Sequence, residues 1–107
     1  MPRILATADI GSNTCHLLVA STDGTKIQRL VNETEWLSLG EIVTREGVIP
    51  EQLTQRLLNT VSTFKRLADG QRAERFYVFA TEAMRVASNH EDVVDQIRDK
   101  TGVQVEI

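Results

Sequence analysis

Ala8-Asp9-Ile10-Gly11-Ser12-Asn13-Thr14-Cys15-His16-Leu17-Leu18-Val19 is the stretch from which the rest of the chain can be read. An apolar run reaches an acid, Asp9. Gly11, Ser12, Asn13 and Thr14 turn the chain, and a second apolar run leaves. Gly11 and Asn13 tolerate the positive φ of a two-residue hairpin turn, so the spacing predicts two antiparallel strands. The turn gathers backbone N–H groups beside three short polar side chains, a donor set that suits a phosphate oxygen. Asp9, at the end of its strand, could hold a divalent cation through water, because hard cations prefer oxygen ligands. An ordinary hairpin, with Asn and Gly doing only turn work, would use the same residues.

Working outward, Arg3 to Ile10 reads as the first strand and Cys15 to Ala20 as the second. Both are nearly continuous apolar runs, the pattern of strands buried on two faces. Ser21-Thr22-Asp23-Gly24 reads as the next turn, with Asp-Gly its strongest signal. Thr25 to Trp36 gives a third, more polar strand suited to an edge. Leu37 to Ile49 is the least regular segment, with room for a single helical turn between Gly40 and Gly47. Pro50 fits the first position of a helix. Leu53, Leu57, Val61, Phe64 and Ala68 then recur at helical spacing as far as Gly70. Arg75 to Ala80 is a short fourth strand. Thr81 to Val86 opens a helix, which a Ser88–Glu91 capping box restarts. Val93, Val94 and Ile97 form its apolar stripe, Gly102 closes it, and Val103, Val105 and Ile107 alternate as a fifth strand. The element order is βββαβαβ.

The 107 residues suit one small domain. A net charge of −3 supplies no global field to attract nucleic acid or an acidic membrane, so any anion site must be local. The single cysteine, Cys15, precludes an internal disulfide and fits a reducing cytoplasm. No stretch has the length or apolarity of a membrane span or a signal peptide.

A second constellation lies at Ala80-Thr81-Glu82-Ala83-Met84-Arg85-Val86-Ala87-Ser88-Asn89. Strand passes to helix within two residues. Helix N-termini favour anions, and Arg85 would add a planar fork matched to phosphate. Beside a parallel first strand, this helix start would face the Gly11 turn, at the edge where open α/β sheets bind ligands. The alternative for Arg85 is a surface ion pair with Glu82 or Glu91. His16 reads as a packed, hydrogen-bonded side chain and His90 as solvent-facing. Cys15 reads as inert packing, and Glu41 and Glu46 as solvated loop acids.

Together, Asp9 to Val19, Leu39-Gly40-Glu41 and Ala80 to Asn89 resemble the exopolyphosphatase / guanosine pentaphosphate phosphohydrolase family. Its usual motifs are Asp-x-Gly-Ser-Asn and Ala-Thr-x-Ala-x-Arg-x-Ala-x-Asn. Glu82 departs from the commoner Ser after Thr81. The resemblance runs the whole length, and Thr101 to Ile107 looks like the family's next strand. It implies an α/β, ribonuclease-H-like or actin-like half-domain with sheet order 3-2-1-4-5. Residues 1–107 would be the first part of an N-terminal lobe. It also implies magnesium-dependent hydrolysis of the terminal phosphoanhydride of polyphosphate, or of the 5′ γ-phosphate of guanosine pentaphosphate. Gly11, Ser12, Asn13, Thr14 and Arg85 would hold phosphate, Asp9 would sit near Mg2+, and the longer protein would be a homodimer. The family's water-activating glutamate, in a Ser-Gly-x-Glu-Glu-Ala segment, and its second phosphate loop, Asp-x-Gly-Gly-Gly-Ser, are not in this sequence. No catalytic residue is therefore expected here. A phosphate or nucleotide sensor and an actin-like kinase are the competing readings.

With that order, both parallel crossovers run the same way along the sheet. Right-handed crossovers then put both helices on one face. The other face stays bare although Leu5, Tyr77 and Phe79 lie on it. This predicts self-pairing, aggregation or a covering segment from elsewhere.

Overall fold

The computed structural model describes residues 2–107. It holds β1 (Arg3–Ile10), β2 (Thr14–Thr22), β3 (Ile27–Trp36), α1 (Leu39–Glu46), α2 (Glu51–Gly70), β4 (Arg75–Ala80), α3 (Glu82–Arg85), α4 (His90–Thr101) and β5 (Val105–Glu106). The five strands form one mixed sheet of order β3-β2-β1-β4-β5. β1 pairs antiparallel with β2 and parallel with β4, which is the ribonuclease-H-like, actin-like arrangement expected.

Burial alternates along the strands. Ala6, Ala8 and Ile10 of β1, Cys15, Leu17 and Val19 of β2, and Val78 and Ala80 of β4 are buried. Leu53, Leu57, Val61, Phe64 and Ala68 of α2 and Val93, Val94 and Ile97 of α4 close over them. α2 touches β1 and β2 and packs against α4, so the helices share one face, as the crossover handedness requires. The continuous apolar runs were expected to mark burial on both faces. The structure corrects this, since Thr7, Asp9, Tyr77 and Phe79 on the other side are exposed.

The turns differ in detail from expectation. Neither Gly11 nor Asn13 has a positive φ. Ile10 faces Cys15 in register, so the connection is a four-residue turn, closed by the Gly11 N–H donating to the Thr14 carbonyl at 2.8 Å. Such a turn needs no left-handed residue, unlike the two-residue primed turns. The turn at Asp23-Gly24 is present with Gly24 at φ 95°, but Ser21 and Thr22 belong to β2 and Thr22 faces Ile27, so this connection too spans four residues. Asp23 Oδ1 accepts from the Thr25 N–H, the Lys26 N–H and the Thr25 hydroxyl at 2.9, 3.0 and 2.8 Å. These bonds, the backbone ones foremost, favour the ionised carboxylate and pull its pKa down to about 2.

The segment read as irregular holds a two-turn helix, α1, with Leu39 and Val43 buried one turn apart and Gly47 as its left-handed C-cap. Pro50 is the N-cap of α2 rather than its first residue. The Ser88–Glu91 capping box does not form. Asn89 is the N-cap of α4, and its side chain is engaged elsewhere.

Candidate functional site

The β1–β2 turn is stapled to the start of α1. Leu37 and Ser38 N–H donate to the Asn13 carbonyl at 2.9 and 3.0 Å, and Gly40 N–H donates to the Ser12 carbonyl at 2.7 Å. Ser38 takes the left-handed conformation, φ 54°, to aim these donors. Gly40 lies so close to the turn that a Cβ there would overlap the Ser12 hydroxyl. The turn's carbonyls are thus occupied from behind, which fixes the turn on a helix instead of leaving it a free hairpin tip.

In front, Ser12 shares an open cleft of about 770 Å³ with Gly40, Glu41, Thr44 and Arg45 of α1, and with Thr81, Glu82, Ala83 and Val86 around α3. The β1–β4 pairing brings these together. Thr81 N–H donates to the Ile10 carbonyl at 3.0 Å, so α3 begins beside the point where β1 enters the turn. The expected juxtaposition of the Gly11 turn and the Thr81 helix start is present. Thr81 caps α3 without a side-chain hydrogen bond, so its hydroxyl forms no capping bond.

Arg85 pairs with Glu82 at 3.4 Å and is exposed, and it is not among the residues lining the cleft. Asp9 is exposed on the open sheet face, between His16 and Phe79 in register. His16 bonds to Asn32 Oδ1 on that face. His90, read as solvent-facing, is half-buried with Nδ1 2.9 Å from the Ala87 carbonyl. Burial pushes the Cys15 thiol up to about 12, with the Asp9 and Glu35 carboxylates adding to the shift, so this cysteine is no nucleophile. Thr44 and Arg45 escaped the sequence reading because the segment was expected to hold no more than a single helical turn between Gly40 and Gly47, where the structure has the two-turn α1. Leu39, Val43 and Gly47 carried the signal that could have found it. Among the described residues no three His, Cys, Asp or Glu gather as a metal cluster. A lone carboxylate such as Asp9 still fits magnesium, which commonly takes one or two carboxylates and fills its shell with water and substrate phosphates.

A profile of the Ppx/GppA phosphatase family matches residues 18–107. The chain belongs to this family. It is 33% identical to exopolyphosphatase 1 of Mycobacterium tuberculosis over 103 residues, which is 95% of this chain and 30% of that protein. It superposes on the Aquifex aeolicus Ppx/GppA family member with a TM-score of 0.93 at 28% identity, covering 99% of this chain and 35% of that one. An exopolyphosphatase from Cytophaga hutchinsonii gives a TM-score of 0.89 at 28% identity, covering 96% of this chain and 33% of that one. The chain therefore spans about a third of the length of these relatives. Among the described residues no helix is long and apolar enough to cross a membrane.

Proposed function

We propose that this chain forms the phosphate-binding part of a phosphoanhydride hydrolase, the first part of an N-terminal lobe that acts within a longer cytoplasmic polypeptide. The substrate is the end of an inorganic polyphosphate chain, with the 5′ γ-phosphate of guanosine pentaphosphate as the alternative. The supporting observation is the stapled turn. With the Ser12 and Asn13 carbonyls taken up by N–H groups of the α1 region, the turn is held against α1 and can offer its N–H groups and hydroxyls forward. A donor set fixed before binding does not have to be ordered by the ligand. Family membership and the names of the relatives supply the reaction class.

In this reading the Gly11–Thr14 turn binds phosphate oxygens through Ser12, Asn13 and Thr14, with Gly11 shaping the turn because its N–H is held by the Thr14 carbonyl. Arg85 leaves Glu82 to contact them, which is possible because an exposed ion pair contributes little. Magnesium, when bound near Asp9, would neutralise phosphate charge. The Ser-Gly-x-Glu-Glu-Ala segment that carries the family's water-activating glutamate is not in this sequence, so the chain alone is proposed to bind but not to turn over.

Hydrogen exchange measured by mass spectrometry, in tripolyphosphate and magnesium, tests this. The expected result is protection of the peptide containing Gly11–Thr14. Arg85→Ala should weaken binding by roughly 1.5–3 kcal/mol, the value of a hydrogen bond to a charged group. No protection in the wild-type chain would overturn the reading, and phosphate release by the chain alone would overturn its division of labour.

A further inference from the structure

The phosphate reading uses Ala80–Asn89 only as far as Arg85, yet its last residue makes the most specific side-chain contact of the stretch. Asn89 Oδ1 accepts from the Ile49 N–H at 2.8 Å, and Asn89 Nδ2 donates to the Ile49 carbonyl at 2.9 Å. One amide side chain thus satisfies both polar groups of a residue 40 positions away in sequence. The Ser88 N–H adds a third bond, to the Gly47 carbonyl at 3.0 Å. Gly47 ends α1, and Ile49, itself 1% exposed, leads into α2. Residues 88 and 89 join α3 to α4. The three bonds therefore tie the link that follows α1 to the link that follows α3, and the two short helices also pack on each other.

These two helices are the walls of the cleft. Gly40, Glu41, Thr44 and Arg45 line one side, and Thr81, Glu82, Ala83 and Val86 the other. Helices of eight and four residues are too short to hold a position by their own hydrogen bonding, so their spacing must come from tertiary ties. We propose that Asn89 is a positioning residue. It sets the separation of α1 and α3, and so the width of the anion cleft, without touching the anion. The chemistry demands this side chain. Asp would place a second acceptor against the Ile49 carbonyl, and Ala would leave the buried Ile49 N–H unpaired and its carbonyl with only the Thr54 hydroxyl at 3.5 Å. The same engagement explains why α4 starts with an Asn that makes no capping bond.

The effect on affinity rests on the phosphate reading, but the geometry does not. Hydrogen exchange on Asn89→Ala, Asn89→Asp and Ile97→Val separates the two. Ile97→Val changes a buried residue of α4 away from the clamp and controls for general loss of stability. At matched global stability, Asn89→Ala should speed exchange across Val43–Ile49 about tenfold relative to Ile97→Val, as loss of local ties predicts. It should also raise the tripolyphosphate dissociation constant about tenfold, with Ile97→Val near wild type. Asn89→Asp, which keeps one of the two bonds, should fall between and serves if Asn89→Ala does not fold. Equal exchange in the clamp and control variants would overturn the clamp. Loosened α1 with unchanged affinity would overturn its role in shaping the anion site. If the wild-type chain binds no tripolyphosphate, the phosphate reading and the affinity claim fall together, and the exchange comparison alone decides the clamp.

Discussion

A methyl group at residue 40 would meet the Ser12 hydroxyl and crowd the Ser12 Cβ at 3.1 Å and the Ser12 carbonyl at 3.4 Å. The hydroxyl can rotate away, but Cβ and the backbone cannot. Gly40→Ala should therefore lift the turn off α1, at a cost of about 1–3 kcal/mol, as overpacking does elsewhere. Urea denaturation checks the direction. Part of that cost should vanish in a Ser12→Ala background, because the two sites are in contact, and strict additivity in the double-mutant cycle would refute the mechanism. Cys15 offers a second test at this scale. Its folded pKa of about 12 lies above the ordinary thiol value of 9.0. A raised value means the thiol contributes stability at pH below the unfolded pKa, and that contribution is lost as pH rises from about 9 toward 12. At pH 8 a thiol reagent should therefore label Cys15 only as fast as the chain unfolds, and immediate labelling of the folded protein would contradict its burial.

At the scale of elements, the Asp23 turn links β2 and β3 through three bonds to one carboxylate oxygen. Its folded pKa is lowered from 3.8 to about 2. The sign is that of a depressed carboxylate, with stability present above pH 3.8 and lost as pH falls through about 2. Asp23→Asn should flatten the acid limb of the stability curve between those values, and an unchanged limb would show that the turn does not depend on the charge. Elements with long, regular apolar spacing were legible in the sequence. The α2 stripe Leu53-Leu57-Val61-Phe64-Ala68 is buried as its spacing implied, and both β1 and β4 have the expected bounds. Elements set by tertiary context were not. α1 is only two turns long and is held from outside, by the Asn13 and Ser12 carbonyls at one end and by the Ser88 N–H at the other, so its own eight residues carry little of the information. The same holds for the site. The turn, its Ser-Asn-Thr donors and the α3 start could be read locally. Arg45 and the Asn89 clamp depend on contacts across some 30 to 40 residues, which no local pattern reports.

For the whole molecule, the one-sided sheet has the clearest consequence. All helices lie on the face carrying Ala6, Ala8, Ile10, Leu17 and Val78. The opposite face carries Tyr77 and Phe79, 47% and 44% exposed, with their rings stacked at 6.3 Å between centroids. Trp36, 68% exposed, stands opposite Thr14, on the same side as His16 and Thr34. Leu5 and Leu18 continue the apolar surface, both half-buried. Thr7, Asp9, Thr14, His16, Asn32, Thr34 and Arg75 interrupt it. A side of the sheet this apolar is more than a monomer usually leaves to water. The relatives are about three times as long, so a longer polypeptide would have chain to place over it. The chain alone should therefore self-associate through this face as concentration rises. Sedimentation velocity should show a rising weight-average mass, and Tyr77→Lys with Phe79→Glu should return it toward the monomer. Those substitutions fall at exposed positions of β4 and leave the Val78 and Ala80 packing untouched, so a loss of association would not be a loss of fold. A wild-type chain that stays monomeric at high concentration would mean that Asp9, His16 and Asn32 hydrate the face well enough to keep it open.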